Sequence, residues 1–293
     1  MKVLVTGAKG QLGSEIIHML KTGSSSIGKI NGTYLSAEIL GTDKSILDIT
    51  NLNNMRKILG EFDPNIVINT AAYTNVDDCE VNQDLAFKIN AIGGKNMAVV
   101  CEELGAKLIH LSTDYVFDGN CKTPYREYDS PSPINIYGKT KYLGELYVGQ
   151  FSTRYFIIRS SWLYGYNGKN FVKTIMKSAA KKDYINVVDD QIGNPTNVED
   201  LAYHILKVAL TEDYGIYHCT GNGKCSWFEF ACKIIELNKF NCKVNPIESK
   251  ALGRIAKRPS YSSLDNSMLR CTVRDEMRQW EDALRVFINN INF

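Results

Sequence analysis

Tyr137 and Lys141 stand four residues apart in the run Tyr137-Gly138-Lys139-Thr140-Lys141. On a helix that spacing puts both side chains on one face. A free phenol has a pKa of about 10 and is a poor acid–base group at neutral pH. A neighbouring ammonium favours the phenolate and lowers that pKa toward the operating range. The chemistry on offer is proton transfer to an oxygen. Upstream, an apolar run ends in His110-Leu111-Ser112-Thr113-Asp114-Tyr115-Val116-Phe117, where a hydroxyl would hold a substrate carbonyl oxygen beside Tyr137. Alone, a Tyr–Lys pair at this spacing is often a solvated helix face.

A second motif gives the pair a partner. Gly7-Ala8-Lys9-Gly10-Gln11-Leu12-Gly13 follows the first apolar run and opens the first helical pattern. Glycines let the backbone turn tightly and let a diphosphate approach, and a helix N-terminus adds N–H donors and partial positive charge. Placed between a strand and a helix, the loop reads as a dinucleotide site. Lys141 would then bond the nicotinamide ribose. A carboxylate ending the second strand should bond the adenosine ribose hydroxyls. Asp43, in Leu40-Gly41-Thr42-Asp43, is the candidate, with a solvated turn aspartate as the competing reading. Asp48-Ile49 would lie over the adenine, and Ala71-Ala72-Tyr73-Thr74 would line the middle of the cofactor.

Two other chemistries are weaker. His110, Ser112 and Asp114 alternate along one strand and point to one side, and collinear residues cannot wrap a base around a nucleophile as a hydrolase triad requires. No G-x-S-x-G elbow exists. Zinc fares no better. The chain has eight cysteines and four histidines but no C-x-x-C pair, and His218-Cys219 with Cys225 completes no zinc spacing. The cysteines read as small, reduced core residues.

The elements that must position these residues are legible as well. Lys2–Thr6, Ile39–Thr42, Asn65–Asn69, Lys107–Ser112 and Phe156–Arg159 read as short strands. Helical spacing of apolar residues fills Gln11–Lys21, Leu52–Leu59, Leu85–Leu104 and Lys139–Phe151. Strands apolar on both faces and separated by helices make a parallel sheet covered on both sides, an α/β, doubly wound, Rossmann-type fold. Beyond about residue 165 the pattern loosens. Helices are expected at Phe171–Lys181, Val198–Leu210, Trp227–Leu237 and Glu276–Asn289, with strands at Tyr184–Val188 and Gly215–Cys219. This suits a smaller mixed α/β cap that binds substrate. The division expected is a dinucleotide-binding domain over 1–165 and a mainly substrate-binding domain over 166–293, with a segment near 190–220 returning to the first.

Composition agrees with a globular enzyme. The 293 residues are 44% hydrophobic and 23% charged, with a formal net charge of +2. Near-neutrality argues against a nucleic-acid surface. No apolar run approaches the roughly 18 residues of a membrane span, and the N-terminal apolar stretch is too short for a signal peptide. A cytoplasmic protein is expected.

Several motifs together resemble one family. They are Thr113 through Gly119 (TDYVFDG), Pro133 through Lys141 (PINIYGKTK), Arg159 through Gly165 (RSSWLYG), Asp190 through Thr196 (DQIGNPT), Arg258-Pro259-Ser260 and Leu264-Asp265. These are similar to the dTDP-4-dehydrorhamnose reductases, of the extended short-chain dehydrogenase/reductase class, whose glycine loop also has the G-x-x-G-x-x-G form. The resemblance spans nearly the whole chain and is loosest between Lys21 and Ala37, where this chain is longer.

The resemblance implies reduction of the 4-keto group of dTDP-4-dehydro-L-rhamnose to dTDP-L-rhamnose, a surface-polysaccharide precursor, with NADPH or NADH. It implies a catalytic triad of Thr113, Tyr137 and Lys141. Thr113, Asp114, Tyr115 and Trp162 are implied sugar contacts, Trp162 by stacking, although structural packing would also explain that tryptophan. Gly7, Gly10, Gln11, Leu12, Gly13, Asp43, Asp48, Ile49, Ala71, Ala72, Tyr73 and Thr74 are the cofactor contacts expected from motif and resemblance together. Some relatives use Mg²⁺ at a dimer contact, and Glu15 stands where one such carboxylate would be. A homodimer is compatible with this. Two alternatives remain: a sibling reductase making the C4 epimer, dTDP-6-deoxy-L-talose, and a non-catalytic regulatory subunit that binds NADP.

Overall fold

The computed structural model describes residues 1–291. Its first half alternates strands β1 (Lys2–Thr6), β2 (Glu38–Thr42), β3 (Ile66–Asn69), β4 (Lys107–Thr113) and β5 (Tyr155–Ser160) with helices α1 (Gln11–Thr22), α2 (Leu52–Phe62), α3 (Val76–Val81), α4 (Gln83–Phe87), α5 (Gly93–Leu104) and α6 (Ile136–Phe151). A later strand, Gly215–His218, completes a six-stranded sheet. All its pairings are parallel, and the order across it is β2-β1-β3-β4-β5 and then Gly215–His218.

The two-residue period of a strand builds both layers at once. Val3, Val5, Ile66, Ile68, Ile109 and Ile158 point to one side, against Leu12, Ile16 and Met19 of α1 and Leu201 and Ile205 of the helix Val198–Ala209. Leu4, Val67, Leu108 and Ile157 point to the other, against Met55 and Leu59 of α2, Met97 and Val100 of α5, and Val148 of α6. Val198–Ala209 and Gly215–His218 return to this sheet, the first as a packed helix and the second as an edge strand. Strand order reverses between β1 and β3, and the carboxyl ends of strands at such a switch point border the crevice where α/β sheets take their ligands.

A separate apolar cluster joins Tyr164, Ile175, Met176, Phe230, Ile234, Trp280 and Phe287. It lies among the helices Phe171–Ala179, Trp227–Asn238 and Trp280–Asn290. Ser226 caps the second of these in a reciprocal capping box with Glu229. Beside them Tyr184–Val188 pairs in parallel with Lys243–Ile247. That partner strand was not expected, because Pro246 within it removes a ladder donor and reads against a strand; a two-stranded edge tolerates it.

One expected helix is divided. Leu85–Leu104 was read as continuous, but α4 ends at Phe87, a π-helical turn occupies Lys88–Ile92, and α5 starts at Gly93. The wider turn turns the buried Asn90 side chain toward the backbone of Tyr73, to which it both accepts (2.8 Å) and donates (3.1 Å). Among the described residues no helix is long and apolar enough to cross a membrane.

Candidate active site

The glycine loop is tight for steric reasons. Gly7 has φ of +65°, and a Cβ there would stand 2.7 Å from Thr70 Oγ1. A Cβ on Gly13 would stand 2.4 Å from the Gly7 carbonyl oxygen, so the first turn of α1 presses onto the end of β1. The helix is capped by Gly10 with no side-chain hydrogen bond, and no acidic residue occupies its first turn. Its free N–H donors and positive dipole end therefore face outward, as an anion site requires.

In front of them lies a cavity of about 520 Å³, within the range of roughly 300–1,000 Å³ usual for small-molecule sites. Its walls include Gly7, Gly10, Gln11, Leu12, Asp43, Asp48, Ile49, Ala71, Ala72, Thr74, Tyr137 and Lys141. Two expected contacts are not in its wall. Gly13 packs on the loop, and Tyr73 sends its hydroxyl to Asp78. Ser112 and Leu163, from the strand-end hydroxyl run and the RSSWLYG motif, also line it, as does Lys88, which no sequence signal singled out. The cradle, the uncapped helix end and the elongated cavity fit a dinucleotide.

Asp43 accepts from Ser45 N (2.9 Å) and Oγ (2.5 Å) and pairs with Lys9. The bond from Lys9, then those from Ser45, hold its carboxyl well below the usual range. Asp48 accepts from Thr50 N (2.9 Å) and Oγ1 (2.8 Å), and the backbone donor chiefly keeps its pKa low.

At the other end of the cavity α6 is anchored by Asn135, whose Oδ1 accepts from Gly138 N at 2.7 Å while its Nδ2 donates to the Lys257 carbonyl at 2.8 Å. A Cβ on Gly138 would meet the Tyr115 carbonyl oxygen at 2.1 Å, so glycine lets α6 lie directly on the chain leaving β4. The ring of Tyr137 stands edge-on to that of Tyr115, centroids 5.9 Å apart. Burial raises the pKa of its hydroxyl, and the nearby Thr113 side chain opposes that rise. Lys141 is buried and donates to the Leu111 carbonyl at 2.5 Å. Burial pulls its pKa down to about 8, with Glu145 opposing.

This corrects the simplest electrostatic expectation. The Tyr137–Lys141 spacing does place both residues at the cavity, but the ammonium is engaged by Leu111, and desolvation of the phenol governs its pKa. Thr113 Oγ1 donates to Asp114 Oδ1 at 3.0 Å and accepts from Tyr115 N at 3.2 Å. Asp114 is buried, its Oδ2 has no partner among the described residues, and burial raises its pKa to about 7. Thr113, Asp114 and Tyr115 thus gather beside Tyr137, outside the wall of the cofactor cavity.

Trp162 sits apart. At φ of +49° its ring stacks on Trp227, centroids 3.6 Å apart and planes 8° from parallel. Gly193 covers the ring so closely that a Cβ there would lie 2.6 Å from it.

No group of three or more His, Cys, Asp and Glu side chains is placed to hold a metal ion among the described residues. Glu15 is buried against Glu199, and burial first, then that neighbour, raises its pKa. The possible Mg²⁺ at Glu15 has no support in this geometry. His218 is engaged with the Tyr125 and Asp265 carbonyls. All eight cysteines are free.

The chain matches the family model described as RmlD substrate binding domain over residues 1–293. A solved dTDP-4-dehydrorhamnose reductase from Clostridium acetobutylicum is 46% identical, with 99% of each chain covered and a TM-score of 0.93. Another, from Bacillus anthracis and in complex with NADP, is 43% identical, with 98% of each chain covered and a TM-score of 0.92. The spore coat polysaccharide biosynthesis protein SpsK of Bacillus subtilis is 39% identical over 98% of this chain and 96% of its own. With a full-length family match, and with the glycine cradle and the Tyr137–Lys141 helix facing one cavity, the chain belongs to the RmlD substrate-binding-domain family, that of the dTDP-4-dehydrorhamnose reductases.

Proposed function

We propose that this protein reduces the 4-keto group of dTDP-4-dehydro-L-rhamnose to dTDP-L-rhamnose, as a cytoplasmic NADPH- or NADH-dependent enzyme of surface-polysaccharide precursor synthesis. The observation that carries the reading is that Tyr137 and Lys141 line the same cavity as the glycine cradle, with Thr113 beside Tyr137 just outside its wall. Relatives that share the full length of the chain bear the matching name.

A reduced nicotinamide dinucleotide, when bound, supplies the hydride. The N-terminus of α1 holds its diphosphate, and Asp43, Asp48 and Ile49 hold its adenosine end. Thr113 fixes the sugar C4 oxygen beside Tyr137. As a C–H bond forms at C4 and the carbonyl π bond breaks, the oxygen takes the Tyr137 proton. Lys141 has N–H donors beyond the one given to the Leu111 carbonyl, and these would bond the nicotinamide ribose and support the phenolate left behind. The sugar is reduced and the nicotinamide oxidised by the same electron pair. Asp114 and Tyr115 border the sugar. Residues 1–165 with the returning segment near 190–220 bind the cofactor, and the rest of 166–293 mainly holds the sugar. Free cysteines suit a reducing compartment.

Purified protein is mixed with NADPH and the keto-sugar, NADPH consumption is followed optically, and the C4 configuration of the product is read by NMR. dTDP-L-rhamnose is expected. dTDP-6-deoxy-L-talose would replace this reading with the epimeric one, and tight NADPH binding without turnover would indicate a regulatory subunit.

A further inference from the structure

Three consecutive residues of β4 each touch the catalytic helix. The Leu111 carbonyl takes the Lys141 ammonium, Ser112 Oγ donates to Glu145 Oε1, and the Thr113 side chain lies beside the Tyr137 hydroxyl. Glu145 lies one turn beyond Lys141 and is buried. Its carboxylate also accepts from Arg159 Nε at 3.0 and 3.2 Å and from Nη2 at 2.7 Å. Glu145 and Arg159 are 3% and 1% exposed, so this ion pair is wholly desolvated.

Such a pair is poor evidence for stability alone. Well-packed apolar residues of the same volume serve a core as well or better, so its position needs another reason. Arg159 has no second carboxylate among the described residues. It lies over the Phe117 ring at 5.2 Å, and its Nη1 approaches His218 Nε2 at 3.4 Å. His218 Nδ1 faces the Tyr125 and Asp265 carbonyls, so that nitrogen carries the hydrogen and Nε2 accepts. Burial keeps the imidazole neutral, with its pKa down to about 3. The guanidinium is thus aimed at Glu145. Around Lys141 itself stand Tyr137 and Glu145 on α6, and on β4 the buried His110, whose pKa burial also depresses. Glu145 is the carboxylate that acts on it.

We propose that Glu145 is a positioning residue for the catalytic lysine: fixed from below by Arg159 and Ser112, it holds α6 in register with the end of β4 and so sets the place of the Lys141 ammonium at the Leu111 carbonyl. The proposal rests on the catalytic reading of Tyr137 and Lys141 above. Nothing is transferred to or from Glu145; it acts through Lys141.

The test is a titration of Lys141 by NMR in protein labelled at lysine Cε, the signal being identified by its loss in Lys141→Arg. In Glu145→Gln the midpoint should fall by about one pH unit or more, and in Glu145→Asp, which keeps the charge, it should stay near wild type. The alkaline limb of the kcat/KM profile should move with it, so that Glu145→Gln loses about tenfold at about pH 8 relative to about pH 6. Should Glu145→Gln fail to fold, Glu145→Met combined with Arg159→Met removes both charges at once and should still lower the midpoint. An unmoved midpoint in a folded variant, with only a lower Tm, overturns the proposal. Absence of turnover in the wild type would instead sink the catalytic reading, and the NMR midpoints would still decide whether Glu145 governs Lys141.

Discussion

Lys141 Nζ donates to the main-chain carbonyl of Leu111, which ties the ammonium of α6 to the end of β4. The lysine is buried, and burial takes its pKa down to about 8. Its unfolded value is about 10.4. Below about pH 8 both states are charged and the folded state bears the full cost of burying that charge. As pH rises from about 8 to about 10 the folded protein gives up the proton first, so stability rises, and above that window the cost is gone. Lys141→Met should therefore gain most relative to wild type below about pH 8. That advantage should shrink by on the order of 3 kcal/mol across the window, at 1.36 kcal/mol per pH unit. Urea unfolding of both proteins against pH measures it. A stability gap independent of pH would show that the lysine titrates as it does in solvent.

Tyr137→Phe removes the proton donor and keeps the ring that packs edge-on against Tyr115. Turnover of the keto-sugar should drop by about 10²-fold or more while NADPH affinity persists. Steady-state kinetics beside a fluorescence titration of cofactor would check this, and near-wild-type turnover would remove Tyr137 from the catalytic role.

Asp43 pairs with Lys9, and Asp43, Lys9 and Lys44 all line the cavity, where Asp43 is the carboxylate proposed for the adenosine ribose. A carboxylate accepts ribose hydroxyls and repels a 2′-phosphate, whose charge approaches about −2 at neutral pH. Lys9 offsets that repulsion, so wild type should use both cofactors within about tenfold of each other. In Asp43→Ala the ratio of kcat/KM for NADPH over NADH should rise. No movement of the ratio would place Asp43 away from the ribose.

Trp162 was expected to stack on the sugar, with little effect on stability if replaced. Its stack on Trp227 and the close cover of Gly193 add a packing role. Trp162→Ala should cost about 3 kcal/mol or more, as large aromatic truncations in cores do. Thermal unfolding tests the packing, and the Michaelis constant for the nucleotide sugar tests the contact. A variant as stable as wild type would deny the packing role.

Much of the frame could be read from local patterns. The β-branched runs became β1 to β5 within a residue at each end, because a strand buried on both faces needs apolar side chains in unbroken series. The glycine loop was legible because a left-handed turn at Gly7 and a close approach at Gly13 exclude other residues. The Tyr137–Lys141 spacing told that both share a helix face. Asp43 was reached by counting to a strand end, and both it and Asp48 line the cavity.

What the chain's order could not reveal is where buried polar groups find partners. Asn90 breaks a run read as one helix because its amide serves the backbone of Tyr73, 17 residues earlier. Glu145 repeats the four-residue spacing beyond Lys141 yet looks like any helix glutamate until Arg159 and Ser112 close on it. Lys141 was expected to act on Tyr137, but the carbonyl of Leu111, 30 residues away, holds it. Periodicity and turn chemistry are properties of a few neighbouring residues, so the sequence by itself determined the parallel sheet, the tight glycine turn and the helix face that Tyr137 and Lys141 share. Desolvation and hydrogen bonding act between elements that meet only when the sheet is assembled, so the protonation of that pair and the buried carboxylate beneath it were decided by the tertiary structure.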